Sequence, residues 1–190
     1  MNPAITNLVL MLVLMQVAKK IDFEDPDIKF YVRVAFITAQ SITLGIYLYT
    51  RSIINKKNDL TTLKFVSPPN SLAGETEGKL TVTTVKEYDL EQIQTATKGV
   101  FTSLAMMGFM HLYMKYTNPL FMQIISPIKG ALELNIVKIH LFGQAAVGDL
   151  KRPFKAASMF GGFGGNSEAK TDKATVEAAE KAGLGGIKAE

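Results

Sequence analysis

The stretch VAFITAQSITLGIYLYT, residues 34–50, contains no charged residue and decides the fold class. Two further uncharged apolar runs lie at 2–18 and 99–114, and after Lys115 an uncharged run continues to Ile128. Runs of this kind are typical of membrane helices rather than soluble cores. We therefore expect an all-α integral membrane protein with about three short transmembrane helices. Residues 34–50 would span about 25 Å as a helix, less than the ~30 Å hydrocarbon core, so the bilayer is expected to thin around them.

The distribution of charge predicts four segments. Residues 1–50 hold two membrane helices and a short charged connector, and 51–98 form a polar segment outside the membrane. Residues 99–147 hold the third membrane helix, followed by a re-entrant or interfacial piece at 119–128. An amphipathic helix at 128–140 then lies at the interface or packs in a groove. Residues 148–190 form a soluble, basic tail that contains glycine and ends in a short helix near 172–182.

Two local patterns refine the polar middle segment. The sequence KLTVTTV (79–85) is rich in β-branched residues and predicts a short strand. Asp89 is the expected N-cap of the long third helix, because aspartate accepts hydrogen bonds from the free N–H groups of a first turn.

Composition excludes several function classes. The 190-residue chain has no cysteine and two histidines, so it can form neither a disulfide nor a thiolate metal site. We find no phosphate-binding loop and no nucleophile–base pair in the sequence. We therefore expect neither enzymatic activity, nor a cofactor, nor a metal site.

Polar side chains within the apolar runs are the first candidate site. A polar group in lipid is costly unless it faces a partner or water. These residues either line a hydrated groove between helices, or they bond to neighbouring helices and to their own backbone. The candidates for the groove are Gln16, Gln40, Thr43, Ser103, His111 and Gln123.

Methionines form the second candidate site, at Met106, Met110 and Met114. Methionine is unbranched and adaptable, which suits contact with varied apolar client segments. Lipid contact or core packing is the alternative. A third candidate is the basic cluster of Lys151, Arg152 and Lys155, which suits contact with ribosomal RNA or with anionic lipid. A solvated segment beside the membrane explains this cluster equally well.

Several stretches resemble one known family in order along nearly the whole chain. They include KKIDFEDPDI (19–28), TVTTVKEYDL (81–90), MMGFMHLYMKYTNPLFMQIISP (106–127) and GDLKRPFKA (148–156). They closely resemble the fungal endoplasmic-reticulum membrane proteins first named for inorganic phosphate transport. That family was later assigned to the SRP-independent (SND) targeting pathway as its third component. The resemblance implies a multi-pass protein of the endoplasmic-reticulum (ER) membrane that targets or inserts membrane proteins together with the Sec translocon.

Three functions follow as hypotheses. In the first, the chain is an insertase or insertion chaperone for nascent or tail-anchored clients, working with ER lipids, the ribosome, the Sec translocon and other SND components. In the second, it is a non-catalytic adaptor or receptor whose helices only anchor it. The third, a phosphate carrier, is the weakest, because the apolar runs contain no Arg or Lys to hold the anion. Poor insertion of a phosphate carrier would explain the older family name.

Overall fold

The computed structural model describes residues 3–67, 79–154 and 175–177, and most of this part of the chain is helical. Contacts divide the chain into two compact units. Unit 1 comprises Met1–Arg51 and Ile93–Val137, and unit 2 comprises Ser52–Gln92 and Lys138–Glu190. The division into four segments by charge stays a prediction. The expected tail helix near 172–182 lies outside the described residues except at 175–177, which are helical.

The first two helices occur where the apolar runs predict them. Helix α1 spans Pro3–Ala18 and α2 spans Pro26–Lys57. Asp25 begins α2, because its Oδ1 accepts the N–H of Asp27 at 2.8 Å and so satisfies a free donor of the first turn. Pro26 fits this first turn because its missing N–H is not needed there. Helix α2 extends beyond the expected end at residue 50.

Unit 2 contains a β-hairpin that leads into the third long helix. Strand β1 (Thr62–Ser67) pairs antiparallel with β2 (Lys79–Thr84), in a register that places Thr62 opposite Thr84. Strand β2 confirms the strand expected at 79–85. Its partner β1 was not foreseen. Helix α3 follows β2 without a loop and spans Val85–Leu112.

The expected N-cap of α3 at Asp89 is wrong. The helix is capped five residues earlier, at Thr84, by a capping box formed by Thr84 and Glu87. The N–H of Glu87 donates to Thr84 Oγ1 at 3.2 Å, and the N–H of Thr84 donates to Glu87 Oε2 at 3.3 Å. This reciprocal pair satisfies two donors at once, so Asp89 lies within the second turn of the helix.

Three short helices follow α3, where a short piece at 119–128 and one amphipathic helix at 128–140 were expected. They are α4 (Asn118–Met122), α5 (Ser126–Glu133) and α6 (Asn135–His140). Pro119 and Pro127 each lie in a first turn, the position where proline is tolerated. The single amphipathic helix expected at 128–140 is broken at Leu134, whose extended backbone (ψ 130°) ends α5. A single helical turn at Gly148–Leu150 follows.

The core of unit 1 joins three helices. Val32 and Phe36 from α2 pack with Met107 of α3 and Leu120 of α4. Further apolar side chains close around this cluster: Phe23, Ile28, Leu104, Met110, Phe121 and Ile124. Helix α1 packs against α4. Burial of these apolar groups is the main favourable contribution to holding the short helices in place.

Among the described residues, α2 is the one helix whose length and apolar composition suffice to cross a membrane. Helix α1 is apolar but shorter, over Ile5–Ala18. An arrangement with about three membrane helices therefore stays a prediction.

Two phenylalanines of α2 test the core assignment. Phe36 is 4% exposed and Phe30 is 60% exposed. We expect Phe36→Ala to lower the free energy of unfolding by about 3 kcal/mol, because it leaves a cavity in the core. Thermal unfolding of the purified protein in detergent measures this change. Phe30→Ala is the matched control and should change stability little, whereas equal losses in the two variants would contradict the assignment.

Candidate functional site

Helix α2 exposes a largely apolar surface and buries some polar side chains beside its apolar core residues. Its buried side chains include Gln40, Thr43 and Thr50, each 3% exposed or less. Its exposed side chains over the same stretch are largely apolar: Val34, Ile37, Ile42, Leu48 and Tyr49. A soluble protein turns its polar side chains to water. An apolar exterior with polar groups inside is the arrangement that suits a lipid environment.

The hydroxyl groups of α2 are satisfied within the helix itself. Thr38, Ser41, Thr43 and Thr50 each donate to the carbonyl four residues earlier, at 2.8–2.9 Å. Such bonds allow a hydroxyl to lie in an apolar environment without another partner. Thr43 is buried, and its hydroxyl donates to the carbonyl of Ala39, so its place in a hydrated groove stays a prediction.

Gln40 differs from these hydroxyl residues. It is 3% exposed, and its Nε2 is buried without a hydrogen-bond partner among the described residues. An amide that donates no bonds in the interior costs about 1–3 kcal/mol. Gln40 is therefore an available donor within the apolar part of α2.

His111 lies buried at the end of α3 and is bonded on both ring nitrogens. Arg33 Nε donates to His111 Nε2 at 2.7 Å, and His111 Nδ1 lies 3.1 Å from the carbonyl oxygen of Tyr116. Because an arginine nitrogen can only donate, Nε2 accepts and the ring proton is assigned to Nδ1, which donates to Tyr116. His111 thus links α2 to the turn that follows α3.

The three candidate methionines differ in exposure. Met106 is 60% exposed and Met114 is 45% exposed, whereas Met110 is half-buried against the core of unit 1. Phe109 and Tyr113 lie on the same exposed side of α3, with their rings stacked at 5.2 Å. Met110 therefore contacts the core, whereas Met106 on α3 and Met114 just after it are exposed.

The remaining groove candidates lie in different surroundings. Ser103 and Gln123 are half-buried, on α3 and just after α4. Gln16 is exposed on α1, in a shallow pocket of about 310 Å³ that is also lined by Leu12, Val13, Val17 and Lys20. No hydrogen bond joins any two of the six polar candidates within the described residues, and a single continuous groove stays a prediction.

Unit 2 contains a buried ionic cluster that sequence reasoning missed. Asp89 is 1% exposed and accepts two hydrogen bonds from Arg152, to Oδ1 at 2.6 Å and to Oδ2 at 2.7 Å. His140 Nε2 lies 2.7 Å from the same Oδ2. A bidentate pair between arginine and a carboxylate is a strong charge-assisted interaction. These residues are 51 and 63 positions from Asp89 in the chain, so no local spacing could reveal them.

Aromatic contacts hold the chain after α6 beside the same cluster. The N–H of Phe154 donates to the Tyr88 hydroxyl at 2.7 Å, and the Phe154 and Tyr88 rings lie 5.6 Å apart. Phe65 of β1 meets the other side of Tyr88 at 5.7 Å. Burial raises the pKa of the Tyr88 hydroxyl, while the bond from Phe154 opposes that shift.

The residues of the basic cluster therefore differ in exposure and in bonding. Lys151 is exposed, whereas the guanidinium of Arg152 is engaged by Asp89 inside unit 2. Lys155 lies outside the described residues. Contact with the ribosome, translocon or lipid through this cluster stays a prediction. The described part of the chain holds no group of three His, Asp or Glu side chains placed to bind a metal.

Comparison with known proteins places the chain in a family. The family model described as Phosphate transport (Pho88) matches residues 1–187. The chain belongs to the Pho88 family. It is 57% identical, over 100% of both chains, to SRP-independent targeting protein 3 of Saccharomyces cerevisiae. It is 38% identical to the SRP-independent targeting protein 3 homolog of Schizosaccharomyces pombe, over 94% of this chain and 91% of the homolog.

A third relative of this Pho88-family chain, an uncharacterized protein of Schizosaccharomyces pombe, is 44% identical over 85% of this chain and 81% of the relative. No solved structure matches the chain. The family membership confirms the resemblance found in the sequence.

The ionic cluster of unit 2 generates a stability prediction. Asp89→Asn removes the negative charge that pairs with the buried guanidinium of Arg152. Breaking one side of a buried pair costs about 3–5 kcal/mol, so we expect a loss of that order in the free energy of unfolding. Thermal or denaturant unfolding of the full-length protein in detergent measures it.

Two controls accompany the Asp89 variant. Glu24→Gln removes an exposed carboxylate that pairs with Lys29 at 2.8 Å, and it should cost less than about 1 kcal/mol. The double variant Asp89→Asn with Arg152→Gln should recover part of the loss, because neither charge is then left unpaired. Additive losses in the double variant would show that the pair is not coupled.

Proposed function

We propose that this Pho88-family chain acts in SRP-independent targeting at the ER membrane, as an insertion factor for apolar client segments. The pathway is inferred from two relatives that carry the name SRP-independent targeting protein 3 or its homolog, one of them similar over its full length. In this proposal the chain carries no catalytic chemistry and needs no cofactor. Its partners are the other SND components, the Sec translocon and the ribosome.

The proposed mechanism rests on one observation: α2 exposes apolar side chains while it buries the polar side chain of Gln40. Its exposed side chains between residues 34 and 49 are largely apolar, while Gln40 is buried with an unpartnered amide. A client segment with flanking polar groups pays a large cost to enter lipid. A donor held inside an apolar surface offsets part of that cost when the polar group passes it, and no ATP is required.

In this mechanism the client contacts α3 and the residues just after it. Met106 and Met114 are exposed beside Met110, which packs on the core. Flexible thioether side chains adapt to apolar segments of different shape. Exposed methionines near a methionine that is packed on the core offer a client a surface that adapts to the client's shape.

An adaptor function is the second candidate, and one observation in unit 2 favours it. Arg152 and Phe154 attach the start of the tail to Asp89 and Tyr88, while Lys151 beside them is exposed. In this alternative the tail recruits the ribosome or translocon, and the helices only anchor the chain.

Replacement of Gln40 by leucine tests the insertion mechanism. Gln40→Leu removes a buried unpartnered donor, so we expect unchanged or higher thermal stability. We also expect a several-fold loss of client insertion, because the donor within the apolar surface is gone. The measurement is the protease-protected fraction of a radiolabelled tail-anchored client, after addition to liposomes that contain the purified full-length protein.

The matched control is Gln94→Leu, which makes the same change at an exposed position of α3 and should insert clients like the unmodified protein. Normal insertion by Gln40→Leu at equal reconstituted amounts would contradict the role of the amide. No insertion above empty liposomes by the unmodified protein would favour the adaptor instead.

A further inference from the structure

Arg33 is an exposed arginine whose orientation is set by a buried partner. Its Nε donates to His111 Nε2 at 2.7 Å, and His111 is 7% exposed. The second ring nitrogen of His111 lies 3.1 Å from the Tyr116 carbonyl, which fixes the ring. Because Nε is the engaged nitrogen, the two terminal amino groups of the guanidinium remain without a hydrogen-bond partner among the described residues. They form the planar fork that binds phosphate or carboxylate through two parallel bonds.

The charge of Arg33 is not balanced within unit 1. Two lysines of that unit pair with carboxylates, Lys29 with Glu24 and Lys129 with Glu133. The ion pairs found among the described residues include none to Arg33. An oriented guanidinium without a carboxylate is available for an external anion.

The surroundings of Arg33 resemble a membrane–water interface. Arg33 is the last charged residue before the uncharged run that begins at Val34. Phe30 and Tyr31 precede Arg33 on α2 by three and two residues, and they are 60% and 69% exposed. Tyr113 and Tyr116, on either side of Lys115 after α3, are also exposed. Exposed tyrosines next to a cation and an apolar helix are typical of the headgroup level of a bilayer.

We infer that the guanidinium fork of Arg33, held by His111, binds a phosphate group at this interface. The same chemistry is present in a phospholipid headgroup and in free inorganic phosphate. The exposed side chain of Leu112, next to His111 and within the uncharged run 99–114, favours the lipid, because it can contact the acyl chains below the headgroup. The inference rests on the membrane location in the proposed function, but it requires no insertion activity.

Lipid binding to the full-length protein in detergent, followed by native mass spectrometry, tests the inference. Three probes separate the contributions: phosphatidylinositol, diacylglycerol with the same chains but no phosphate, and inorganic phosphate as a competitor. We expect phosphatidylinositol to bind and Arg33→Gln to weaken it about ten-fold, the loss of one charge-assisted contact. Diacylglycerol should bind weakly and equally to both proteins.

The matched control is Arg51→Gln, at the other end of the same uncharged run, which should keep the affinity of the unmodified protein. Failure of inorganic phosphate to compete would assign the site to a lipid headgroup, and competition would assign it to the free anion. Equal binding of phosphatidylinositol by the unmodified protein and Arg33→Gln would overturn the inference, as would diacylglycerol binding as tightly as phosphatidylinositol.

A separate measurement isolates the membrane location itself. Carbonate extraction of membranes should leave both the unmodified protein and Arg33→Gln in the pellet. Release of the unmodified protein would contradict the membrane location in the proposed function. Retention of both proteins with equal lipid binding would contradict the phosphate site alone.

Discussion

The cost of placing an unbonded polar group in an apolar environment governs the structure of unit 1. On α2 the threonine and serine hydroxyls bond to the carbonyls of their own helix, so they need no other partner, whether buried like Thr43 or exposed like Thr38. The core that joins α2, α3 and α4 is small, centred on Phe36 and Met107. Gln40 differs from the other polar residues of this helix, because its Nε2 has no hydrogen-bond partner among the described residues. A buried polar group that is left unbonded at such a cost is a candidate functional group.

Unit 2 satisfies the same constraint with charges. A carboxylate as buried as Asp89 is stable only when its oxygens are bonded, and Arg152 and His140 provide those bonds. Because these partners come from distant parts of the chain, the cluster joins the start of α3 to the end of α6 and to the base of the tail. Tyr88, between Phe65 and Phe154, adds apolar packing to the same junction.

Local sequence patterns predicted which helices and strands form better than they predicted where those helices and strands begin and end. The uncharged runs located α1 and α2, and β-branched residues located β2, because these signals depend on neighbours in sequence. The start of α3 was misplaced although its signal was present: Thr84 and Glu87 have the spacing of a capping box, and Asp89 was favoured only by its residue type. The break at Leu134 had no comparable signal, since the apolar spacing from 128 to 139 continues through it.

The apolar character of the helices, the absence of cysteine chemistry and the family resemblance can be read from the chain alone, because composition and local periodicity are properties of neighbouring residues. The tertiary structure adds which polar residues are bonded. It pairs Arg33 with His111 and Arg152 with Asp89, and it leaves the Gln40 amide without a partner among the described residues. A hydrogen bond depends on distances between side chains that are far apart in the chain, and those distances exist only once the helices have packed.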